Sequence, residues 1–322
     1  MTRPARARAV QADPVALLDR VQEEVARVVV GQEDAVERLL GAVLVGGHAL
    51  LEGVPGVAKT LLAQAFSRTL GLSFRRVQFT PDMLPSDLTG SVVLRRGDLE
   101  FSPGPIFAGV VLGDEINRTP PKTQAALLEA MQEGTVTVDG TTHPLPDPFL
   151  VIATQNPLEF EGTYPLPEAQ LDRFHVRITV DYPSEDDELA LLRLRHRGVT
   201  PATLDDVQVV ATPGALRAVT AVVETTLVTE EVLGYVVGVV RATRDLAGLQ
   251  VGASPRAGVH LLAAAKASAR LAGRDFATPD DVAGAVPTVL AHRLVRTPEA
   301  ELERVSAETL LDRAVGRVPV PR

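Results

Sequence analysis

Residues 53–60 read Gly-Val-Pro-Gly-Val-Ala-Lys-Thr, and this stretch decides the fold of the chain. An apolar run at residues 49–51 precedes it, and a helix-like segment at residues 61–66 follows it. The order of strand, glycine-rich turn, Lys-Thr and helix is typical of a loop that binds phosphate through backbone N–H groups and a helix N-terminus. In such a loop the lysine reaches the β- and γ-phosphates, and the threonine hydroxyl binds Mg²⁺.

One position departs from the G-x-x-x-x-G-K-[ST] pattern, because Ala58 stands where its last glycine is expected. A side chain disfavours left-handed backbone, so either the turn is right-handed at Ala58 or the match is false. The alternative interpretation is a tight Gly/Pro turn between a strand and a helix. The nucleotide contacts predicted by the motif are Gly53, Val54, Pro55, Gly56, Val57, Ala58, Lys59, Thr60 and Leu61.

Composition bounds the class of protein. The chain has 322 residues, 45% of them hydrophobic, which is enough for two domains with a sizeable core. Its net charge is −9 and only 4% of residues are aromatic, which argues against generic nucleic-acid binding and base-stacking platforms. It has no Cys, and its six His lack ligand spacing, so we expect no disulfide and no structural metal.

The N-terminus and the apolar runs bear on location. Residues 1–8 are basic, but no apolar segment of a secretory signal follows them, so we expect residues 1–13 to be a disordered tail. No apolar run approaches the ~18 residues that span a bilayer. The expectation is a cytoplasmic protein without a membrane span.

Residues 14–183 and 184–322 differ in their predicted secondary structure. In the first part, apolar runs at residues 109–113 and 149–154 alternate with helical segments. This alternation predicts an α/β core with a parallel sheet and helices on both faces. After Pro183 the chain reads as helices only, which predicts a second, small all-α lid domain.

Two short hairpins are predicted inside the core, at residues 92–101 and 135–143. The turn of the second is Asp139-Gly140, a pair that suits a type I′ turn. Sequence alone leaves open whether they are ordinary edge hairpins or contact surfaces.

Two acidic residues, Asp114 and Glu115, follow the buried run at residues 109–113. Ligands bind at the carboxyl ends of the strands in open α/β sheets. At this edge, Asp114 is placed to hold Mg²⁺ through water, and Glu115 to orient and deprotonate the attacking water. The alternative is a pair of solvated acids at a strand end.

Three more polar residues are candidates for catalysis. Asn156 can hydrogen-bond the γ-phosphate or the water beside it, or it is ordinary turn chemistry before a proline. Arg173 is either an arginine finger or a surface ion pair of little worth. Arg256 lies in the first turn of a helix, where its positive charge opposes the helix dipole. A nucleotide phosphate would compensate that charge. The alternative is an exposed Arg whose charge there costs negligible free energy.

The order of these motifs resembles that of AAA+ ATPases and, more narrowly, of the MoxR group, whose phosphate loop also reads G-V-P-G-x-A-K-T. The resemblance runs from about residue 28 to about residue 295. It rests on five ordered motifs, at residues 53–60, 114–118, 153–157, 170–174 and 254–256.

The resemblance assigns a role to each candidate residue. By this resemblance, Lys59 and Thr60 belong to Walker A, and Asp114 and Glu115 to Walker B. Asn156 is sensor 1, Arg256 is sensor 2, and Arg173 is an arginine finger acting in trans. Gly31 and Gln32 lie in a segment that resembles the one packed against adenine. Asp114, Glu115, Asn156 and Arg256 are expected to complete the site from the same chain.

The resemblance also implies a function. It implies an ATPase that uses ATP and Mg²⁺, assembles as a ring, most simply a hexamer, and acts as a chaperone on client protein complexes. The hairpins would contact clients, and a von Willebrand factor A domain protein is an expected partner. Two alternatives remain open: a nucleotide-gated scaffold with little turnover, and a DNA motor, against which the −9 charge argues.

Overall fold

The computed structural model describes five ranges of the chain. These are residues 12–54, 56–95, 97–155, 164–196 and 203–321, with the backbone alone at Ala190, Leu191, Leu194 and Arg195. Two predicted site residues, Pro55 and Asn156, lie outside the described residues, as does the predicted tail up to residue 11.

Helices and strands alternate over the first part of the described chain. The helices are α1 (Pro14–Ala26), α2 (Glu33–Leu44), α3 (Lys59–Thr69), α4 (Pro85–Thr89), α5 (Pro121–Glu133) and α6 (Glu168–Leu171). The strands are β1 (Ala49–Glu52), β2 (Phe74–Gln78), β3 (Gly90–Arg95), β4 (Asp98–Pro103), β5 (Val110–Asp114), β6 (Thr135–Val138), β7 (Thr141–Pro144), β8 (Leu150–Gln155) and β9 (Val176–Thr179).

Five of these strands form one parallel sheet in the order β2-β5-β8-β1-β9. Leu112 of β5 pairs with Ile152 of β8, which pairs in turn with Ala49 of β1. Because parallel strands end at the same edge, the residues after β1, β5 and β8 lie side by side. The phosphate loop and the two acids therefore meet there.

Side chains of the central strands alternate between two hydrophobic clusters. Leu112 and Ile152 pack in the cluster that contains α1, α2 and α3, whereas Val111 and Val151 pack in the cluster that contains α5. Each of these four side chains is fully buried, and burial of one such side chain contributes about 1.5–3 kcal/mol. The structure thus confirms a parallel sheet with helices on both faces.

Both predicted hairpins form, as the antiparallel pairs β3–β4 and β6–β7. Asp139 has φ 48° and Gly140 has φ 78°, the two positive values that a type I′ turn requires. The ring of Phe101 on β4 stacks on His143 on β7, with centroids 3.9 Å apart. The two hairpins are therefore in direct contact.

The second part of the chain is mostly helical. Its helices are α7 (Glu185–His196), α8 (Pro213–Glu224), α9 (Glu230–Arg244), α10 (Pro255–Leu271), α11 (Pro279–Leu290), α12 (Pro298–Leu302) and α13 (Ala307–Val315). The prediction of helices alone is corrected by a short antiparallel pair of β10 (Leu249–Val251) and β11 (Val295–Arg296). These strands are too short to give a hydrophobic period. None of the helices in the described ranges is long and apolar enough to cross a membrane.

The lid packs closely on the core. Leu261 of α10 and Val286 of α11 are fully buried in the same cluster as Leu39 of α2. Ser254 caps α10 and also contacts Asp172, which follows α6 in the core. This contact brings the start of α10 next to the loop that carries Arg173.

Candidate active site

The phosphate loop leaves β1 at Glu52 and enters α3 at Lys59. Gly56 has φ 90°, and Ala58 has φ 59° and ψ 24°, both in the left-handed region. The turn at Ala58 is therefore left-handed, and the prediction that a true match needs a right-handed turn there is wrong. The left-handed residue sits immediately before α3, so it directs the first N–H groups of that helix toward the loop.

A close approach of two chain segments fixes the start of this loop. A Cβ built on Gly53 would lie 2.2 Å from the carbonyl oxygen of Val180, so only glycine fits without a shift. The next residue, Asp181, accepts a long hydrogen bond from Gln32 Nε2 at 3.4 Å, and Gln32 is buried. Gly31, with φ 73°, precedes it. The segment predicted to pack against adenine is thus connected to the phosphate loop through the backbone of residues 180–181.

Asp114 ends β5, and Glu115 follows it with left-handed backbone (φ 57°, ψ 53°). Thr154 on the adjacent strand β8 connects the two. Its hydroxyl donates to Asp114 Oδ1 at 2.6 Å and accepts from the Glu115 backbone N–H at 2.9 Å. Thr154 is 1% exposed, so a buried hydroxyl fixes both the carboxylate and the strained turn that carries the second acid.

Three further side chains hold the acids from the other side. Arg76 Nη2 donates to Asp114 Oδ2 at 2.6 Å, and Arg76 Nε donates to the same oxygen at 3.1 Å. Gln78 Nε2 donates to Glu115 Oε2 at 2.9 Å, and Arg118 Nε lies 3.1 Å from that oxygen. Each carboxylate is therefore oriented before any substrate contact.

The loop and the acids face a single cavity of about 380 Å³. It is lined on one side by Gly56 and residues 58–61, and on the other by Asp114, Glu115 and Thr154. Two of the predicted loop contacts are different: Val57 is buried and Val54 packs against the hydrophobic core, so only their backbone can face a ligand.

Lys59 extends across this loop, where its Nζ donates to the carbonyl oxygen of Gly53 at 2.5 Å. Burial lowers the pKa of Lys59, and the nearby carboxylates of Asp114, Glu115 and Glu52 oppose that shift. The same three acids favour a cation at this point, so the amine lies where phosphate oxygens and carboxylates compete for it.

The donor set fits a Mg²⁺–nucleotide. The Thr60 hydroxyl and the Asp114 carboxylate are oxygen ligands, which Mg²⁺ prefers, and they line the same cavity. The N-terminus of α3 and the loop N–H groups suit phosphate oxygens. The residues present thus match the group that the motif implies.

The predicted arginines lie elsewhere. Arg173 and Arg256 line one cavity of about 340 Å³ together with His260, and this cavity shares no lining residue with the one around Lys59. Arg256 thus does not line the cavity around Lys59, because Ser254 at the start of α10 contacts Asp172 beside Arg173, and its role in its own chain's site stays a prediction. Within the described residues, the side chains of Arg173 and Arg256 make neither a hydrogen bond nor an ion pair with protein groups.

Sequence reasoning missed Thr154, Arg76 and Gln78. Thr154 gave a weak signal, since it is a polar residue in an otherwise apolar buried strand next to the strand that carries the acids. Arg76 and Gln78 share one side of the edge strand β2, and only the pairing of β2 with β5 brings them to the acids.

Comparisons with known proteins agree with this geometry. The family "ATPase family associated with various cellular activities (AAA)" matches residues 48–176, and the AAA lid domain matches residues 241–314. The chain is 45% identical to the uncharacterized protein YeaC of Bacillus subtilis, over 97% of this chain and 98% of the relative. It is 46% identical to chaperone MoxR1 of Mycobacterium tuberculosis, over 95% of this chain and 82% of the relative.

A solved structure has the same fold. The crystal structure of a candidate ATPase from Cytophaga hutchinsonii superposes with a TM-score of 0.88 at 39% identity, over 96% of this chain and 97% of that one. The order of motifs, the two-domain architecture and these near full-length relatives lead to one conclusion. The chain belongs to the MoxR family of AAA+ ATPases.

Proposed function

We propose that this protein binds Mg²⁺–ATP in the cavity around Lys59 and hydrolyses it to ADP and phosphate. One observation carries the proposal: a phosphate loop and two pre-oriented acids face each other across a single cavity of about 380 Å³. The family supports this activity, since its members are ATPases by name.

Each residue has a distinct task in the proposed reaction. The N–H groups of the loop and of the first turn of α3 hold the phosphates, and Lys59 adds a positive charge beside them. Thr60 and Asp114 would hold Mg²⁺, which neutralises charge on the phosphate oxygens when bound.

Glu115 orients the attacking water and accepts its proton in this proposal. Gln78 Nε2 and Arg118 Nε both contact its Oε2, so the other oxygen, Oε1, is the one that can face the water. A fixed carboxylate removes the entropy of finding the reactive orientation, which is where much of the rate gain of such bases arises.

We place Arg173 and Arg256 at the nucleotide of a neighbouring subunit. Both line a cavity apart from Lys59, and two guanidinium groups without a side-chain partner in the described part of the chain together favour an anion. A head-to-tail contact that presents these arginines to the next subunit generates a ring, most simply a hexamer. In this proposal Arg256 acts from the same subunit as Arg173, which revises its expected role in its own chain's site.

We further propose a cytoplasmic chaperone role, supported by the relative named chaperone MoxR1. Hydrolysis would move the lid against the core, and the contacting hairpins would transmit that motion to a client protein complex. A von Willebrand factor A domain protein, which the family resemblance implies, is the proposed partner.

Replacement of Glu115 by Gln tests hydrolysis. The amide keeps the shape and a contact with Gln78 but cannot accept a proton, so we expect turnover to fall by about 10²–10⁴-fold while ATP binding persists. The matched control is Glu129→Gln, the same change at an exposed position on α5. Unchanged turnover in Glu115→Gln would refute the role of this residue.

Mixing two inactive variants tests the ring. Arg173→Ala subunits retain their own phosphate loop, and Lys59→Ala subunits retain Arg173, so mixed rings contain some complete sites. We expect turnover in the mixture to exceed that of either variant alone. A monodisperse monomer with full activity, or no gain on mixing, would contradict the proposed trans arrangement.

A further inference from the structure

A partly buried polar cluster adjoins Arg173, and we call it the Asp172 clamp: Asp172, Ser254 and Arg293. Ser254 Oγ donates to Asp172 Oδ2 at 3.1 Å and lies 3.2 Å from Oδ1. Arg293 Nε lies 3.1 Å from Asp172 Oδ1. One core carboxylate thus receives two lid side chains, from the start of α10 and from the turn after α11.

Arg293 also holds the backbone on both sides of Arg173. Its Nη2 donates to the carbonyl oxygen of Phe174 at 2.5 Å and, more weakly, to that of Asp172 at 3.4 Å. The side chain of Arg293 is only 1% exposed, and that of Asp172 is 19% exposed. A buried guanidinium with one carboxylate partner needs that partner, since a lone buried charge is costly.

The same cluster fixes the second arginine of the cavity. Ser254 caps α10 by accepting from the N–H of Ala257 at 3.2 Å, and Arg256 lies in the first turn of that helix. His260, one turn further on, contacts Arg293 Nη2 through its Nδ1. The backbone of both Arg173 and Arg256 is therefore tied to the Asp172 clamp.

We propose that Asp172 is a positioning residue that presents Arg173, together with Arg256, to the nucleotide of the neighbouring subunit. This rests on the proposed trans arrangement. The Asp172 carboxylate touches no substrate; it holds the Arg173 loop on the lid at a fixed place. The competing explanation is that the cluster only stabilises the contact between lid and core.

The two explanations differ in which subunit loses ATP turnover when Asp172 is replaced. A defect in Asp172 leaves that subunit's own phosphate loop intact and spoils the site next door. Asp172→Asn rings should therefore lose at least tenfold in kcat, with the affinity for a fluorescent ATP analogue unchanged. A purely structural defect would instead follow the melting temperature of the variant and act within each chain.

Mixed rings decide between them. Each site in a head-to-tail ring takes its finger from one neighbour, so Asp172→Asn mixed one-to-one with Lys59→Ala should recover about a quarter of wild-type turnover. Asp172→Asn mixed with Arg173→Ala should recover none, because both variants supply a defective finger. Arg173→Ala with Lys59→Ala is the reference mixture; its failure to recover would refute the trans ATPase itself.

Recovery in the reference mixture but not with Asp172→Asn would overturn only the positioning role. Ser254→Gly is the second variant, because glycine is tolerated as a helix cap while the hydroxyl that contacts Asp172 is lost. It should show the same pattern with a smaller drop in kcat. If Asp172→Asn and Ser254→Gly both fail to assemble while Arg173→Ala assembles, the cluster is structural and the proposal is wrong.

Discussion

Replacing Thr154 by Val removes one hydroxyl and leaves the shape of the side chain nearly unchanged. In the structure this hydroxyl donates to Asp114 Oδ1 at 2.6 Å and accepts from the Glu115 N–H at 2.9 Å. Thr154 is 1% exposed, so water cannot take the place of the hydroxyl without opening the strand edge. The substitution therefore separates the support of the two acids from the acids themselves.

The magnitude follows from the two bonds. A buried N–H without an acceptor costs about 1–3 kcal/mol, and a hydrogen bond to a charged group contributes about 1.5–3 kcal/mol. Asp114 keeps its contact with Arg76, and Glu115 is partly exposed, so we expect Thr154→Val to destabilise the fold by about 2–4 kcal/mol. A shift of the carboxylates by about 1 Å should lower kcat by roughly ten- to a hundredfold.

Thr154→Ser is the matched control. It keeps the hydroxyl and loses one buried methyl group, which costs about 1 kcal/mol. Urea unfolding at pH 7.5 and steady-state ATP turnover should rank the chains as wild type, Ser variant, Val variant. Equal unfolding free energies and equal kcat for the Ser and Val variants would refute the assigned role of the hydroxyl.

Two further predictions concern backbone and charge. Ala58→Gly should raise the unfolding free energy by up to about 1 kcal/mol and keep ATP binding, because Ala58 has φ 59°, which glycine tolerates better. The control Ala125→Gly, on the exposed face of α5, should lower the unfolding free energy by about 1 kcal/mol. Thermal melts compare the two variants with the wild type. Burial lowers the pKa of His48 from 6.5 to about 4, so the stability from its neutral form is complete above pH 6.5 and is lost as pH falls toward 4. The slope of about 1.4 kcal/mol per pH unit applies only below pH 6.5, so the unfolding free energy should be about 2 kcal/mol lower at pH 5 than at pH 7 for this group. A His48→Gln chain with an unchanged pH dependence would contradict the assignment.

The phosphate loop and the acids could be predicted because their signals are local. A strand, a glycine turn and a helix occur within a few residues around Lys59, and Asp114 and Glu115 directly follow an apolar run that must be a buried strand. The place of the site then needs only the rule that ligands bind at the carboxyl edge of a parallel sheet. The hairpin turn at Asp139-Gly140 was predictable for the same reason, since both residues tolerate positive φ.

The conformation of Ala58 shows the limit of a local rule. Alanine disfavours left-handed backbone by roughly 1–2 kcal/mol, a penalty that tertiary packing can offset. Val57 beside it is buried and Val54 packs on the core, so the loop is held at both sides of the turn. The propensity of a single residue therefore gave the wrong sign, although the motif around it was correct.

The role of Arg256 could not be predicted from local sequence, for a different reason. Its position in the first turn of α10 predicts that an anion compensates a cation at a positive helix end. Which group does so depends on where the lid places that helix, and contacts far apart in sequence decide this. Ser254 meets Asp172 82 residues away, and Arg293 meets Asp172 121 residues away.

These long-range contacts give the division of the site a physical logic. Beside the phosphate loop, Arg76 and Arg118 are already paired with the carboxylates of Asp114 and Glu115. The remaining positive charge at Arg173 and Arg256 is kept apart on a surface where core and lid are bonded together. In the proposed ring, a change in the angle between lid and core in one subunit must therefore move charge at the nucleotide of the next. Hydrolysis at one site would then depend on the conformation of its neighbour, which is the coupling that a ring needs for ordered turnover.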